Sequence, residues 1–347
     1  MSAPPSSAPS SGPAAARTGL RFAIVGAGAT GGFLGARLAR AGEDVVLIAR
    51  GAHLAAMREH GIKVISADGD FVAHPACTDD LAVAGQADVI FLTVKAHSLP
   101  EIAVQLGPLL APHTAVVTAQ NGIPWWYFSH YSGPLAGTQL RSVDPDGVIA
   151  RSFESRRVLG CVVYPATRIV SPGVVEHLEG LRFSVAELDD SRSERREAIV
   201  AALGRAGLRA SSRLRIRDEL WLKLLGNVAF NPLSALTRAT IVDIATQPQT
   251  RQVAEAIMHE ALSVARALGV TLDFTVEQRL EGAARVGAHE TSMLQDVETG
   301  RPLEVEALVG AVVELADRLD LPVPHTRTVY ACTRLLDHTL RQRAPRR

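Results

Sequence analysis

The chain is short of four things, and each shortage removes a class of protein. It has three cysteines, Cys77, Cys161 and Cys332, widely spaced and with no metal-like pair among them. That pattern argues against a disulfide framework or a metal site, and suits a reducing, cytoplasmic setting in which thiols fill the core. It has no excess of either charge: Lys plus Arg and Asp plus Glu number 36 each, so the formal net charge is zero. Nucleic-acid and anionic-membrane partners call for a basic excess that is absent here. No apolar run is fit to span a bilayer. Residues 102–140 lack Asp, Glu, Lys and Arg, but Pro108, Pro112, Gly122, Pro124 and Gly133 interrupt them. A spanning helix needs about 20 predominantly apolar residues, so this stretch reads as buried strands and loops beside a ligand. Aromatics are scarce, at 5 %, which makes the run Trp125-Trp126-Tyr127-Phe128 conspicuous. It reads equally as core packing under a loop or as a substrate wall.

What is present fits a two-domain globular protein. The length of 347 residues supports two sizeable cores, and 47 % apolar with 21 % charged residues is ordinary. Residues 1–17 are rich in Pro, Ala and Ser, and no Val, Ile, Leu or Phe occurs before Leu20. A disordered tail over 1–19 without a signal-type apolar stretch is expected. Short apolar strands then alternate with helical segments: Arg21–Val25, Asp44–Ile48, Ala87–Val94 and Thr114–Thr118, with a helix over Gly31–Ala41. That alternation predicts βαβ units on a parallel sheet. Val158–Tyr164, Gly173–His177 and Arg182–Val185 read as further strands. Beyond residue 213 the pattern becomes helical. Val253, Ile257, Ala261, Val264 and Leu268 form one stripe, and Ala307, Ala311, Val312, Leu315 and Leu319 another. The fold class is therefore α/β: an N-terminal Rossmann-type dinucleotide-binding domain over 20–212, followed by an all-α C-terminal domain over 213–342. A cleft between such domains is a usual place for a ligand. The exposed side of the helical domain is a surface on which two copies could pair as a homodimer.

The segment Phe22-Ala-Ile-Val-Gly26-Ala-Gly28-Ala-Thr-Gly31 is GxGxxG directly after a strand. Gly26 permits the tight turn, Gly28 lets the backbone approach a pyrophosphate, and Gly31 lets helix and strand pack closely. The next strand ends in Arg50, where NAD-binding versions carry an acid for the ribose 2′-hydroxyl. A guanidinium cannot replace that acceptor but pairs with a 2′-phosphate, which predicts NADPH. The other reading of Arg50 is a solvent-facing strand end; His53 and Arg58 could assist it, but read more readily as surface residues.

Four segments carry chemistry. Lys95 and Asn121 each follow a predicted strand, at the carboxyl edge where ligands sit in open parallel sheets. For either alone a structural role is as plausible. Lys223, Asn227 and Asn231 are spaced i, i+4, i+8 on one helical face of a strongly apolar segment. Burying an ammonium and two amides there is costly unless they bond to something, and a polar substrate or an internal network would serve. Pro232 is expected to end or kink that helix just after Asn231. Ser292 opens Ser-Met-Leu-Gln-Asp296. Glu304 follows Pro302, which suits a helix start and would place the carboxylate in the first turn.

Taken in order, GxGxxG, the strand-end Arg50, VKA at Lys95, NG at Asn121, WxKxxxNxxxNP at Trp221–Pro232, SMLQD and the downstream Glu304 resemble the ketopantoate reductase family, from about residue 20 to 335. The resemblance implies NADPH-dependent reduction of a small-molecule 2-oxo acid, 2-dehydropantoate, in pantothenate synthesis. It implies Lys223 as general acid and Glu304 as the carboxylate binding the substrate hydroxyl. It places Asn227, Asn231 and Ser292 on the substrate, Lys95 and Asn121 near the nicotinamide and its ribose, and Arg50 on the 2′-phosphate. Two positions depart from the family pattern. His289 stands where a substrate asparagine often precedes SMLQD, and Ala239–Asp243 lacks the asparagine that commonly follows NP. A reductase of another 2-oxo acid, or a non-catalytic NADPH sensor, are the competing readings.

Overall fold

The computed structural model describes residues 19–210, 215–285 and 287–343. All but the last residue of the expected tail, and the expected domain boundary at 212/213, lie outside the described residues. In chain order the first half comprises β1 (Arg21–Val25), α1 (Ala29–Arg40), β2 (Asp44–Ile48), α2 (Gly51–His60), β3 (Ile62–Ser66), β4 (Phe71–Ala73), β5 (Ala76–Thr78), α3 (Leu81–Gly85), β6 (Val89–Leu92), α4 (Leu99–Leu106), β7 (Ala115–Thr118), α5 (Val148–Ser152), β8 (Val158–Val163), β9 (Ala166–Ser171), β10 (Val174–Glu179), β11 (Phe183–Glu187) and α6 (Glu194–Arg205). Helices follow: α7 (Ile216–Thr237), α8 (Ile241–Thr246), α9 (Pro248–Ala267), α10 (Val276–Arg285), α11 (Ser292–Glu298), α12 (Ala311–Arg318) and α13 (Pro324–Arg343).

The main sheet has the order β11-β8-β7-β6-β1-β2-β5 and is parallel except for β11 at its edge. β6, β7 and β8 are buried throughout, as befits strands covered on both faces. The register decides where the site forms. Val25 pairs with Ile48 on one side and Leu92 on the other, and Leu92 pairs with Thr118. Four strand ends are therefore level, and the loops carrying Gly26, Arg50, Lys95 and Asn121 leave the sheet side by side. Chain order reverses at β1, which has β2 and β6 as neighbours, and such a switch point opens a crevice.

A second sheet, β4-β3-β10-β9, was not foreseen as a separate layer. It packs on α1, where Phe33 stacks on His177 at 4.4 Å between ring centroids. Two local expectations are corrected. Pro232 does not end its helix: α7 runs to Thr237. Proline removes one backbone donor, but every residue from Val228 to Ala235 is buried, and that packing outweighs one lost bond. Nor does Pro302 start a helix. Residues 301–304 are irregular, and the helical turn begins at Val305 as a π-type segment over Glu306–Gly310. Glu304 thus precedes the helix, its carbonyl accepting from the Leu308 N–H at 3.2 Å, instead of lying in the first turn. The backbone N–H of Leu303 is held by Asp337 Oδ1 at 2.8 Å, which anchors this extended entry.

Candidate functional site

The loop after β1 has a geometry that a phosphate group could enter. Gly26 has φ +100°, and its backbone N–H and that of Ala27 donate to the Ile48 carbonyl at 3.1 and 2.9 Å. A Cβ on Gly31 would lie 2.4 Å from Thr93 Oγ1 and 2.5 Å from the Gly26 carbonyl oxygen, so α1 could not start this close to β1 with a larger residue there. A Cβ on Gly28 would meet nothing closer than 3.9 Å. Gly28 therefore fronts open space, beside the N-terminus of α1. That space is a cleft of about 480 Å³ bounded by Gly26, Gly28, Arg50, Lys95, Asn121, Ser292 and Glu304 among others. Arg50 is exposed at its mouth, at the start of α2, and no described side chain pairs with its guanidinium. An unpaired cation on one side and an open, glycine-lined helix start on the other fit a dinucleotide phosphate chain. His53, expected on the surface, lines this cleft, accepting from the Gly173 N–H at 3.0 Å. Arg58 is a surface residue paired with Asp79 at 3.2 Å.

The helical half closes the cleft through Lys95. Its ammonium donates to Asp296 Oδ2 at 2.7 Å and Glu304 Oε2 at 3.3 Å. The Ala96 N–H donates to Glu304 Oε1 at 2.9 Å. Burial opposes the charged lysine, but the Glu304 and Asp296 carboxylates outweigh it and hold the Lys95 ammonium above the usual lysine range. Asp296 is itself paired with Arg301 at 3.1 Å. Asp296 had no separate expectation from sequence, although it ends the Ser292 motif.

Lys223 sits one step deeper, on α7. Its ammonium donates to Asn121 Oδ1 at 2.6 Å and to the Val163 carbonyl. Lys223, Asn121, Asn227, Trp126 and Cys161 line a small adjoining cavity of about 20 Å³. Asn121 and Gln120 belong to both cavities and join them. Burial pulls the Lys223 ammonium down to about 8; Glu304 and Cys161 oppose the change, while Arg279 and Lys95 reinforce it. Burial pushes the Cys161 thiol up to about 12. The structure thus brings Lys223, Asn121 and Asn227 together. Asn231 is buried at 5 % exposure farther along α7 and lines neither cavity. The aromatic run is mainly core: Tyr127 is fully buried and accepts from Trp221 Nε1 at 2.8 Å. Trp126 donates to Thr118 Oγ1 at 2.7 Å and also walls the Lys223 cavity. His289 lies 3.9 Å from Glu179, and Asp243 caps α8 in a box with Thr240. Arg279, on α10, carried no sequence signal; its guanidinium reaches Gly226, one residue before Asn227.

A level row of strand-end loops, a glycine cradle and a half-buried, pKa-lowered lysine opposite it define a two-domain, dinucleotide-binding oxidoreductase. The profile of Ketopantoate reductase PanE/ApbA matches residues 22–190, and that of Ketopantoate reductase PanE/ApbA C terminal matches residues 215–337. The chain belongs to the ketopantoate reductase family. It is 45 % identical to a 2-dehydropantoate 2-reductase of Mesorhizobium japonicum, over 91 % of this chain and 98 % of that one. A solved structure assigned as a ketopantoate reductase, from Ralstonia solanacearum MolK2, is 40 % identical and superposes with a TM-score of 0.87, covering 93 % and 99 % of the two chains. A PanE/ApbA family ketopantoate reductase from Ralstonia eutropha JMP134 is 28 % identical, with a TM-score of 0.80 and coverage of 93 % and 100 %. Among the described residues no helix is long and apolar enough to cross a membrane.

Proposed function

We propose that this protein reduces the ketone of 2-dehydropantoate to the alcohol of pantoate with NADPH, in pantothenate synthesis. Family membership supports a nicotinamide dinucleotide in the glycine-lined cleft, and the unpaired Arg50 at its mouth supports the 2′-phosphorylated form. Gly26, Gly28 and Gly31 would shape the pyrophosphate cradle, with Lys95 and Asn121 flanking the inner end. When bound, the cofactor supplies hydride to the carbonyl carbon. Negative charge then builds on the carbonyl oxygen, and Lys223 stabilises it and hands over the proton. Glu304 holds the substrate hydroxyl, while Asn227 and Ser292 orient the acid; Asn231, which lines neither cavity, is left without a part in this reading. The observation that carries this reading is the Lys223 ammonium, pulled down to about 8 and bonded to Asn121 where the two cavities meet.

The replacement of two family asparagines by His289 and the Ala239–Asp243 segment favours one further reading, a reductase of the same mechanism on another 2-oxo acid. Oxidation of NADPH followed by absorbance, with 2-dehydropantoate against a panel of 2-oxo acids and with NADH as control, decides between them. Fast turnover of 2-dehydropantoate is the expected result. Turnover confined to a different acid would establish the second reading, and tight NADPH binding without any turnover would refute both.

A further inference from the structure

We propose that Arg279 is a substrate-binding residue whose guanidinium takes the carboxylate of the 2-oxo acid. It deepens the reductase reading and rests on it. The first observation is a fit between two residues on different helices. A Cβ on Gly226 would lie 2.4 Å from Arg279 Nη2 and 3.0 Å from Nε. The guanidinium therefore fills the space a side chain at 226 would need, and any side chain there would push it away. On α7, Gly226 is three residues after Lys223 and one before Asn227, so the planar cation borders the face that carries both.

The second observation is that this cation lacks a protein partner. No described side chain or carbonyl bonds to the Arg279 guanidinium, and its Nε is a buried donor with nothing to donate to. Burial lowers its pKa, and the Tyr164 phenol is the one neighbour that opposes the change; no carboxylate does so. An uncompensated, half-buried charge is expensive and marks a place where a counter-ion arrives from outside.

The third is the charge of the surroundings. Arg182 lies 3.8 Å over the Tyr164 ring and Lys223 Nζ 6.0 Å from it, and Arg279 is felt by the same phenol. Glu219 is the carboxylate bonded within this group: it accepts from Tyr164 and pairs with Arg182 at 3.1 Å, while Glu304 acts on Lys223. Arg182 is thus satisfied, Lys223 is committed to Asn121 and the Val163 carbonyl, and Arg279 is left over. A planar fork facing a planar carboxylate is the pairing a guanidinium makes best. A 2-oxo acid bound there would present its ketone, one bond from the carboxylate, to the neighbouring Lys223.

The test is Arg279→Gln and Arg279→Lys in the full chain, assayed with NADPH and with whichever 2-oxo acid the wild type turns over. The KM for the acid should rise about ten- to a hundredfold in the glutamine variant, the range for losing a charged hydrogen-bond partner, with kcat changing far less. Lysine should recover part of the loss. The methyl ester of the substrate, which has no carboxylate charge, should show no such dependence. Removing this cation should also move the alkaline limb of kcat/KM to higher pH, since Arg279 favours the neutral form of Lys223. Should the Arg279 variants fold poorly, Gly226→Ala displaces the guanidinium without deleting it and should raise KM in the same sense. Binding of oxalate, read by tryptophan fluorescence, gives an answer independent of turnover and should weaken at least tenfold in Arg279→Gln. Unchanged oxalate affinity, or equal KM effects on acid and ester, would overturn the proposal. A wild type that binds oxalate through Arg279 yet reduces no 2-oxo acid would instead sink the reductase reading and leave this one standing.

Discussion

Replacing Lys223 by methionine separates chemistry from folding, because the structure predicts opposite consequences for the two. The lysine stands at about 8 instead of 10.5, chiefly through burial. A shift of that size corresponds to at most about 3 kcal/mol spent holding the charge in the folded protein. The sign follows from proton binding: between pH 8 and 10.5 the unfolded lysine keeps a proton that the folded one has lost. Stability from this group therefore rises with pH through that window, and the penalty is fully present below it. Methionine removes the penalty but abandons two acceptors, Asn121 Oδ1 and the Val163 carbonyl. Leaving those unmet costs about 1–3 kcal/mol each. The terms nearly cancel, so the Tm of Lys223→Met should lie within about 5 °C of wild type, and its stability should be flatter from pH 8 to 10.5. Turnover should not survive as well. A positioned general acid contributes about 10²- to 10⁴-fold, and kcat should fall by that factor with NADPH affinity unchanged. In the wild type, an acid at about 8 is about 90 % protonated at pH 7 and about 10 % at pH 9. The kcat/KM profile should be level below pH 8 and then fall about tenfold per unit. A Lys223→Met enzyme within tenfold of wild-type kcat, or a wild-type profile still level at pH 9, would refute the assignment of Lys223 as the proton donor.

The remaining predictions concern the cofactor cleft and its closure. Arg50→Ala should raise the KM for NADPH about 5- to 30-fold and leave that for NADH unchanged, as measured by initial rates; the exposed position keeps the effect modest. Gly31→Ala should lower stability by about 1–3 kcal/mol in denaturant melts, because its Cβ would meet Thr93 and the Gly26 carbonyl. Gly28→Ala, fronting open space, should instead fold normally and lose dinucleotide affinity in a fluorescence titration. Glu304→Gln should raise the KM for the 2-oxo acid about tenfold. It should also shift the alkaline limb of kcat/KM below pH 8, since the Glu304 carboxylate favours the charged form of Lys223.

The geometry of the glycine-lined half of the candidate site was legible in the sequence and that of the helical half only partly, and the difference is one of distance along the chain. GxGxxG works within a single strand–turn–helix, so six residues specify the geometry; Gly26, Gly28 and Gly31 stand where the spacing put them. Arg50 and Lys95 needed one further inference, that parallel strands end level, and the register bears that out. The second sheet escaped because β4 is three residues long, β9 is largely exposed, and β3 pairs with β10 across more than a hundred residues. No periodicity records such a pairing. Proline was over-read as a helix end at 232 and as a helix start at 302, since local propensity yields to burial along α7 and to the Asp337 anchor before Val305.

The groups that set the acidity of Lys223 show the limit most clearly. Glu304 and Arg279 push its proton affinity in opposite directions, and they come from an irregular segment and from α10. Arg279 lies in Val-Glu-Gln-Arg-Leu-Glu-Gly-Ala-Ala-Arg, which reads as an ordinary charged face of an amphipathic helix. What distinguishes it from Arg285, six residues on, is that Arg285 finds Glu281 at 3.1 Å in solvent, whereas Arg279 is turned onto Gly226 with no anion beside it. That difference lies in how α10, packed on α8 and α9, aims one side chain at the α7 backbone, not in composition. A motif can single out the lysine proposed to give up the proton. The pH at which it does so depends on charges that only the folded chain brings within reach, one placed to hold the proton and one to release it.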